Sequence, residues 1–134
     1  MYANPSKKTL MQPLLLDLAG RPCLIVGGGN VAARRAHALV SAGAKVRVVA
    51  PRLADDLREM AQREEISWEE RAFVKEDLEG QFLVVAVTAD PEINAEIEHL
   101  CRERGTLVCA NAQGSHGDTL FPSVVRRGDL VIAI

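Results

Sequence analysis

Apolar and polar positions form two distinct patterns along this chain. Short, nearly continuous apolar runs predict strands that are buried on both faces. These runs cover residues 23–26, 45–50, 82–87 and 106–110. Between them, apolar residues recur every three or four positions over 53–61 and 93–101, which predicts helices. Strands that alternate with helices in this way predict an α/β fold built on a mainly parallel sheet.

The two ends of the chain follow other patterns. Residues 1–11 have no apolar periodicity and are predicted to be a loose tail, so that residues 12–134 form one domain. Within that domain the apolar run Pro13–Leu18 predicts a short first strand. Near the end, two apolar runs flank Arg126-Arg127-Gly128-Asp129, which predicts a C-terminal hairpin.

The junction between the run at 23–26 and the following helix carries a glycine motif. Gly27, Gly29 and Ala32 fit the G-x-G-x-x-G/A spacing of a dinucleotide-binding turn, and Gly28, Asn30 and Val31 lie in the same turn. The first glycine permits a tight turn, the second leaves room for a pyrophosphate, and the small third residue lets helix and strand approach. The helix N-terminus then offers free N–H groups to the phosphates. The motif predicts a Rossmann-type, doubly wound sheet that binds a dinucleotide.

The rest of the predicted cofactor site lies beyond the carboxyl ends of the neighbouring strands, where ligands of doubly wound sheets bind. The acidic residue that usually ends the second strand is absent, and Ala50, Pro51 and Arg52 stand there. Arg52 is suited to a 2′-phosphate, which would favour NADP, or to the adenine face, and equally to a solvated position at the start of a helix. Thr88, after the next central strand, completes the predicted set. These residues leave NAD and NADP open.

Composition excludes several classes of partner. The 134 residues carry a net charge of −2 with no long basic run, so nothing indicates a nucleic-acid partner. No apolar stretch approaches the ~18 residues that cross a bilayer, so we expect no membrane partner. Cys23, Cys101 and Cys109 lie in apolar patterns without CxxC spacing, which is typical of buried free thiols rather than metal ligands. We expect a cytoplasmic protein with no permanent metal site.

Several segments together resemble the N-terminal module of siroheme synthase and its single-function relatives, the precorrin-2 dehydrogenases. The similar segments are Leu14–Arg21, Cys23–Arg34, Val48–Pro51, Ala86–Asp90 with Asn94, and Phe121–Ile134. Together they span about residues 12–134, nearly the whole chain. A combination of several motifs is far more specific than the glycine turn alone.

The resemblance implies a function. It implies NAD-dependent oxidation of precorrin-2 to sirohydrochlorin, with family contacts to NAD carried over to Asn30, Val31, Pro51 and Arg52. Many family members also insert Fe²⁺ or Co²⁺, which implies a possible chelatase activity with transient metal contact. A helical region that follows this module in the family supports a homodimer. The chain ends inside an apolar strand pattern, so we expect a module truncated before that region. The alternative is a non-catalytic nucleotide-sensing domain on the same fold.

One departure from the family concerns catalysis. Family members usually carry an Asn-Val-x-Asp segment after the fifth strand, and its aspartate is assigned to catalysis. The same offset from Asn111 falls on Gly114 here. His116 and Asp118 are the ionisable groups of this loop, and each is a candidate to take a proton as hydride leaves. A solvated loop explains both residues equally well.

The implied substrate carries several carboxylates, so cationic side chains are expected around it. Arg126 and Arg127 near the hairpin are candidates for this contact. One of Arg34 and Arg35, in the first turns of the glycine-loop helix, is a candidate for a phosphate or a substrate carboxylate. All four are also compatible with solvated surface positions.

Overall fold

The computed structural model describes residues 10–112, 115–122 and 124–133, and within these ranges the side chains of all residues except 112, 115 and 116. In chain order the elements are β1 (Pro22–Val26), α1 (Asn30–Ser41), β2 (Lys45–Val49), α2 (Asp55–Gln62), β3 (Ser67–Glu69), a 3₁₀ turn (Lys75–Leu78), β4 (Leu83–Ala86), α3 (Pro91–Arg104), β5 (Leu107–Ala112), β6 (Ser115–Gly117), β7 (Val124–Arg127) and β8 (Leu130–Ala133). The strands and helices predicted between residues 23 and 110 are all present.

A single sheet organises the domain. Its strand order is β3-β2-β1-β4-β5-β6. The first five strands in this order are parallel to their neighbours, and β6 runs antiparallel to β5. The chain moves outward in one direction from β1 to β3 and in the other from β4 to β5, which creates a switch point between β1 and β4. The predicted doubly wound sheet is confirmed, and β7 with β8 forms the predicted hairpin as a separate pair.

The core has two layers, one on each face of the sheet. Successive strand residues face opposite sides, so Leu24 and Ile25 belong to different buried clusters. On the face of Ile25 the sheet packs against α1 and α2, with Leu39 fully buried. On the face of Leu24 it packs against α3 through Ile97 and against the 3₁₀ turn. Burial on both faces explains the continuous apolar runs in the sequence.

The predicted strand at Pro13–Leu18 is wrong. This segment is irregular, and Leu14 and Leu15 are 76% and 83% exposed, whereas Leu18 alone reaches the core. It ends in a bend in which the Asp17 carboxylate accepts a hydrogen bond from the Ala19 amide at 3.1 Å. A strand requires a neighbour that supplies backbone hydrogen bonds, and no strand of the described sheet pairs with this segment.

A buried carboxylate fixes the chain between β3 and β4. Asp77 is 4% exposed and accepts hydrogen bonds from Arg71 at 2.7 and 2.9 Å, from Arg47 at 3.3 Å and from the Val74 amide at 2.9 Å. The hydrogen bonds from Arg71, followed by those from Val74 and Arg47, lower the pKa of Asp77 to about 2 against the opposing effect of burial. The network sets the path of the chain around Phe73, which lines the cleft described below.

We predict that Asp77→Asn lowers the free energy of unfolding by about 2–3 kcal/mol near neutral pH, because charge-assisted hydrogen bonds are lost. The pKa of Asp77 in the folded protein lies below the ordinary 3.8, so its stabilisation is complete above that value and disappears as the pH falls towards 2. Urea unfolding of both proteins at neutral and at acid pH measures this effect. Glu79→Gln, at an exposed carboxylate nearby, is the control; a difference that does not depend on pH would contradict the assignment.

Candidate functional site

A cleft of about 1070 Å³ opens at the carboxyl edge of the sheet, across the switch point between β1 and β4. Its walls come from the turns after β1, β2 and β4, the start of α1 and the chain around Phe73. All the predicted cofactor residues line it: Gly27, Gly28, Gly29, Asn30, Val31, Ala50, Pro51, Arg52 and Thr88. The fold thus brings the predicted set together, and cofactor contact by each residue stays a prediction.

The three glycines of the turn have different roles. Gly27 has φ +130°, and a Cβ on it would lie 2.6 Å from the Val87 carbonyl oxygen. A Cβ on Gly28 would overlap the Arg52 carbonyl oxygen, and the Gly28 carbonyl accepts a hydrogen bond from the Ala54 amide at 2.7 Å. Around Gly29 there is nothing within 4 Å. Gly27 and Gly28 are therefore required by contacts within the protein, whereas Gly29 keeps open space in the cleft.

The N-terminus of α1 is prepared for an anion. Gly29 is its N-cap and offers no side-chain hydrogen bond, and the first turn has no acidic residue. By contrast, α2 has Asp55 and Asp56 in its first turn, and the Asp90 side chain caps α3 by accepting from the Glu92 amide at 2.9 Å. The free amides and the positive end of the helix dipole at α1 therefore remain available to a phosphate.

The turn after β2 is held by its backbone. The Trp68 indole donates to the Ala50 carbonyl at 2.9 Å, and the Ala50 amide donates to the Glu69 carbonyl at 3.2 Å. Arg52 is exposed, and no carboxylate of the described residues lies within ion-pair distance of it. Since Ala54 is the N-cap of α2, Arg52 precedes the helix rather than opening it. Its side chain is free to contact a ligand in the cleft.

Asn94, which the resemblance grouped with Ala86–Asp90, supports the cleft from beneath without lining it. It is 1% exposed, and its amide group donates to the Thr88 carbonyl at 3.1 Å and to the Asn111 carbonyl at 2.8 Å. Its oxygen accepts from the Thr88 amide at 3.0 Å and lies 2.7 Å from the Thr88 hydroxyl. One side chain therefore joins the carboxyl ends of β4 and β5. The signal in the sequence is a polar residue in the buried stripe of α3 that continues with Ile97 and Cys101.

The cleft also has an apolar wall that the sequence did not predict. Ala72 and Phe73, from the irregular chain after β3, line it together with Ile93 of α3. Ile93 is partly exposed towards the cleft, so the three side chains present an apolar surface to a ligand. Glu96, on the next turn of α3, adds a carboxylate to the lining.

The loop after β5 is described in part. Gly114, at the position of the family aspartate, lies outside the described residues, and for His116 the structure describes only the backbone, within β6. The Asp118 carboxylate accepts from the Val108 amide at 2.8 Å and from the Thr119 hydroxyl at 3.1 Å. Val108 precedes Asn111 by three residues, or about 10 Å of strand. Asp118 therefore has the contacts of a structural residue at the edge of the sheet, and its catalytic assignment stays an untested prediction.

The remaining candidates lie away from the cleft. Arg126 and Arg127 are exposed on β7 and do not line it. The three cysteines are free and buried as predicted, and burial raises the pKa of Cys23 and of Cys101 to about 11. Over the described ranges, no group of three His, Cys, Asp or Glu side chains is placed to hold a metal ion. The helices in the described part of the chain are too short or too polar to span a membrane.

Comparison with known proteins supports the interpretation of the cleft as a dinucleotide-binding site. A family profile described as NAD(P)-binding matches residues 14–123. The chain belongs to this NAD(P)-binding family. The match includes the turns after β1, β2 and β4, and it supports NAD as the cofactor, as the resemblance implied.

The resemblance to siroheme synthase is also confirmed. The chain is 35% identical to siroheme synthase of Nitrosococcus oceani and 41% identical to siroheme synthase 1 of Pectobacterium atrosepticum. Each comparison extends over 122 residues, or 91% of this chain, and the chain spans 26% and 25% of those relatives. Among solved structures, SirC, precorrin-2 dehydrogenase, superposes with a TM-score of 0.80 at 30% identity. That match covers 92% of this chain and 61% of SirC.

We predict opposite outcomes for two neighbouring glycine substitutions. Gly29→Ala adds a methyl group in open space, so folding is retained but NAD binds about tenfold more weakly or worse, a loss of ~1.4 kcal/mol. Gly28→Ala forces a methyl group against the Arg52 carbonyl and lowers the free energy of unfolding by about 1–3 kcal/mol. Calorimetric NAD titration and thermal unfolding separate the two effects. Wild-type NAD affinity in Gly29→Ala would contradict the proposed approach of the pyrophosphate.

We predict that Asn94→Ala lowers the free energy of unfolding by about 2–3 kcal/mol, because the Thr88 and Asn111 carbonyls lose a buried donor. Asn94→Asp should cost at least as much, since a carboxylate would then face two carbonyl oxygens. Thermal unfolding measures the change, with the exposed Glu92→Gln on the same helix as control. Asn94→Asp with wild-type stability would refute the role of the amide as donor.

Proposed function

We propose that this chain is the dehydrogenase module that uses NAD to oxidise precorrin-2 to sirohydrochlorin. Binding of NAD is supported above all by the N-terminus of α1, which has neither a side-chain cap nor an acidic residue and lies beside the open space at Gly29. The substrate part rests on the similarity to siroheme synthases and to SirC, precorrin-2 dehydrogenase. Siroheme or cobalamin biosynthesis is the proposed context, and the cytoplasm is the proposed location.

The geometry of the cleft supports one orientation of NAD. The amides at the start of α1 would bind the pyrophosphate. The adenosine half would lie towards β2, where Arg52 and the apolar wall of Phe73 and Ile93 provide two surfaces for adenine. The nicotinamide half would then lie towards β4 and β5, near Thr88 and Asn111. Bound there, NAD supplies the hydride acceptor.

The chain's own residues would orient the reactants and remove a proton. Oxidation of precorrin-2 removes a hydride and a proton, so a base is required besides the cofactor. Gly114 offers no side chain for this purpose. We assign the proton to His116, whose backbone belongs to β6 beside the end of β5, and we keep Asp118 as the second candidate. Asn94 would position this edge by holding the ends of β4 and β5 together.

Further properties of the family extend the proposal. Insertion of Fe²⁺ or Co²⁺ into sirohydrochlorin would require only transient contact with the metal, which arrives as a substrate.

We also propose that the complete protein is a homodimer in which β7 and β8 are covered by the second copy. Val124, Val125, Leu130 and Ile132 on both strands of this hairpin are exposed, although large apolar side chains are usually buried.

The decisive experiment uses the complete protein, held anaerobically with precorrin-2 and NAD while NADH absorbance is followed. We expect NADH to form in step with sirohydrochlorin, and His116→Ala to slow turnover by about 10²-fold or more, as for loss of a general base. His99→Ala, at an exposed histidine on α3, is the control. Binding of NAD without turnover would instead favour a nucleotide-sensing domain.

Addition of Fe²⁺ or Co²⁺ to the same reaction tests the chelatase activity, and formation of a metallated product would support it.

A further inference from the structure

Arg35, on α1, is a cation without an ionic partner. Its guanidinium carbon lies 4.6 Å from the centroid of the Phe121 ring. No carboxylate of the described residues is within ion-pair distance of it, and its Nε is buried without a hydrogen-bond partner. Arg47 and Arg71 both meet Asp77, whereas Arg21 stacks on the Phe82 ring at 4.5 Å without an ion pair to a described residue. Among the described arginines, Arg35 is the one with a buried nitrogen that lacks a hydrogen-bond partner. An unpaired buried donor is costly and calls for a partner.

Arg35 lies close to the side of the cleft where we propose that the nicotinamide binds. Val31, one helical turn earlier on α1, lines the cleft, and helical side chains lean towards the N-terminus of their helix. Arg35 is also close enough to β5 to act on its residue Cys109. Burial raises the pKa of Cys109, and the positive charge of Arg35 opposes that shift. Phe121, on which Arg35 stacks, packs against the buried cluster that contains Cys109 of β5. Arg35 therefore lies beside β5, whose residue Asn111 lines the cleft.

NAD does not account for this cation. Arg35 is not among the residues that line the cofactor cleft, and the free amides of α1 already serve the pyrophosphate. Phe121, its ring partner, follows β6 and therefore lies outside the strands and turns that build the cleft. A guanidinium stacked on a ring is held in a fixed plane, and its two Nη atoms can then donate two hydrogen bonds to one carboxylate.

We propose that Arg35, held in place by Phe121, binds a carboxylate of the tetrapyrrole substrate next to the nicotinamide. This inference rests on the proposed function, because the substrate is then a polycarboxylate that must lie against the nicotinamide with a fixed face and rotation. It selects Arg35 from the four arginines that the sequence offered for such a contact. It also assigns Phe121 as a positioning residue that acts through Arg35.

The test is a titration of the complete protein with sirohydrochlorin, which carries the same carboxylates as the substrate, and separately with NAD. We expect Arg35→Gln to weaken sirohydrochlorin binding about 10- to 100-fold, the range of one charge-assisted contact, while NAD affinity changes less than about twofold. Arg35→Lys keeps the charge but not the two-bond geometry and should give an intermediate loss. Phe121→Leu should behave similarly, with a higher KM for precorrin-2 and little change in kcat. Arg63→Gln, at an exposed arginine after α2, is the control.

Three results would overturn the inference. Arg35→Gln could bind sirohydrochlorin as the wild type does, or NAD affinity could fall by the same factor as sirohydrochlorin affinity, which would assign Arg35 to the cofactor. If Arg35→Gln does not fold, sirohydrochlorin affinity is measured on Arg35→Lys, which retains the charge. Wild-type affinity in Arg35→Lys would then overturn the inference. A wild-type protein that binds NAD but no sirohydrochlorin would overturn the proposed function and this inference together, whereas the first two results leave the proposed function intact.

Discussion

The cleft depends on backbone segments that touch each other with no side chain between them. Gly27 lies against the Val87 carbonyl and Gly28 against the Arg52 carbonyl, so the turn after β1 is in direct contact with the turns after β4 and β2. The hydrogen bond from Ala54 to Gly28 closes the second contact. Because these contacts are made by main-chain atoms, their geometry does not depend on side-chain rotamers. The turns therefore form one surface whose shape is set before any ligand arrives.

The parts of the fold that the sequence predicts well are those with local causes. Strands buried on both faces produce continuous apolar runs, and α3 is delimited by Asp90 as N-cap, Pro91 at its first position and Gly105 with φ +72° at its C-cap. The cofactor set was also predictable, since the carboxyl ends of neighbouring parallel strands must lie side by side. Once the strand order follows from the glycine turn, Ala50 and Thr88 have to lie near Gly27.

The parts that the sequence does not predict depend on distant partners. The run at Pro13–Leu18 has the composition of a strand but no neighbour to pair with, and β6 has a neighbour but only three residues and no apolar pattern. Phe73 lies in a segment that Asp77 holds through the Val74 amide, and Asp77 is in turn bonded by Arg47 from a different strand. The pairing of Arg35 with Phe121 likewise joins residues far apart in sequence. Such contacts are set by tertiary packing, which periodicity does not report.

The antiparallel return of β6 has a consequence for how this edge of the sheet is covered. Another parallel strand beside β5 would require a long crossover, usually a helix laid over the face of the sheet. The described chain instead pairs β6 antiparallel with β5, and on the side of α1 the Phe121 ring packs against the buried cluster that includes Val85 of β4 and Cys109 of β5. The edge of the sheet beyond β5 is therefore closed by a short strand and a loop instead of a crossover helix.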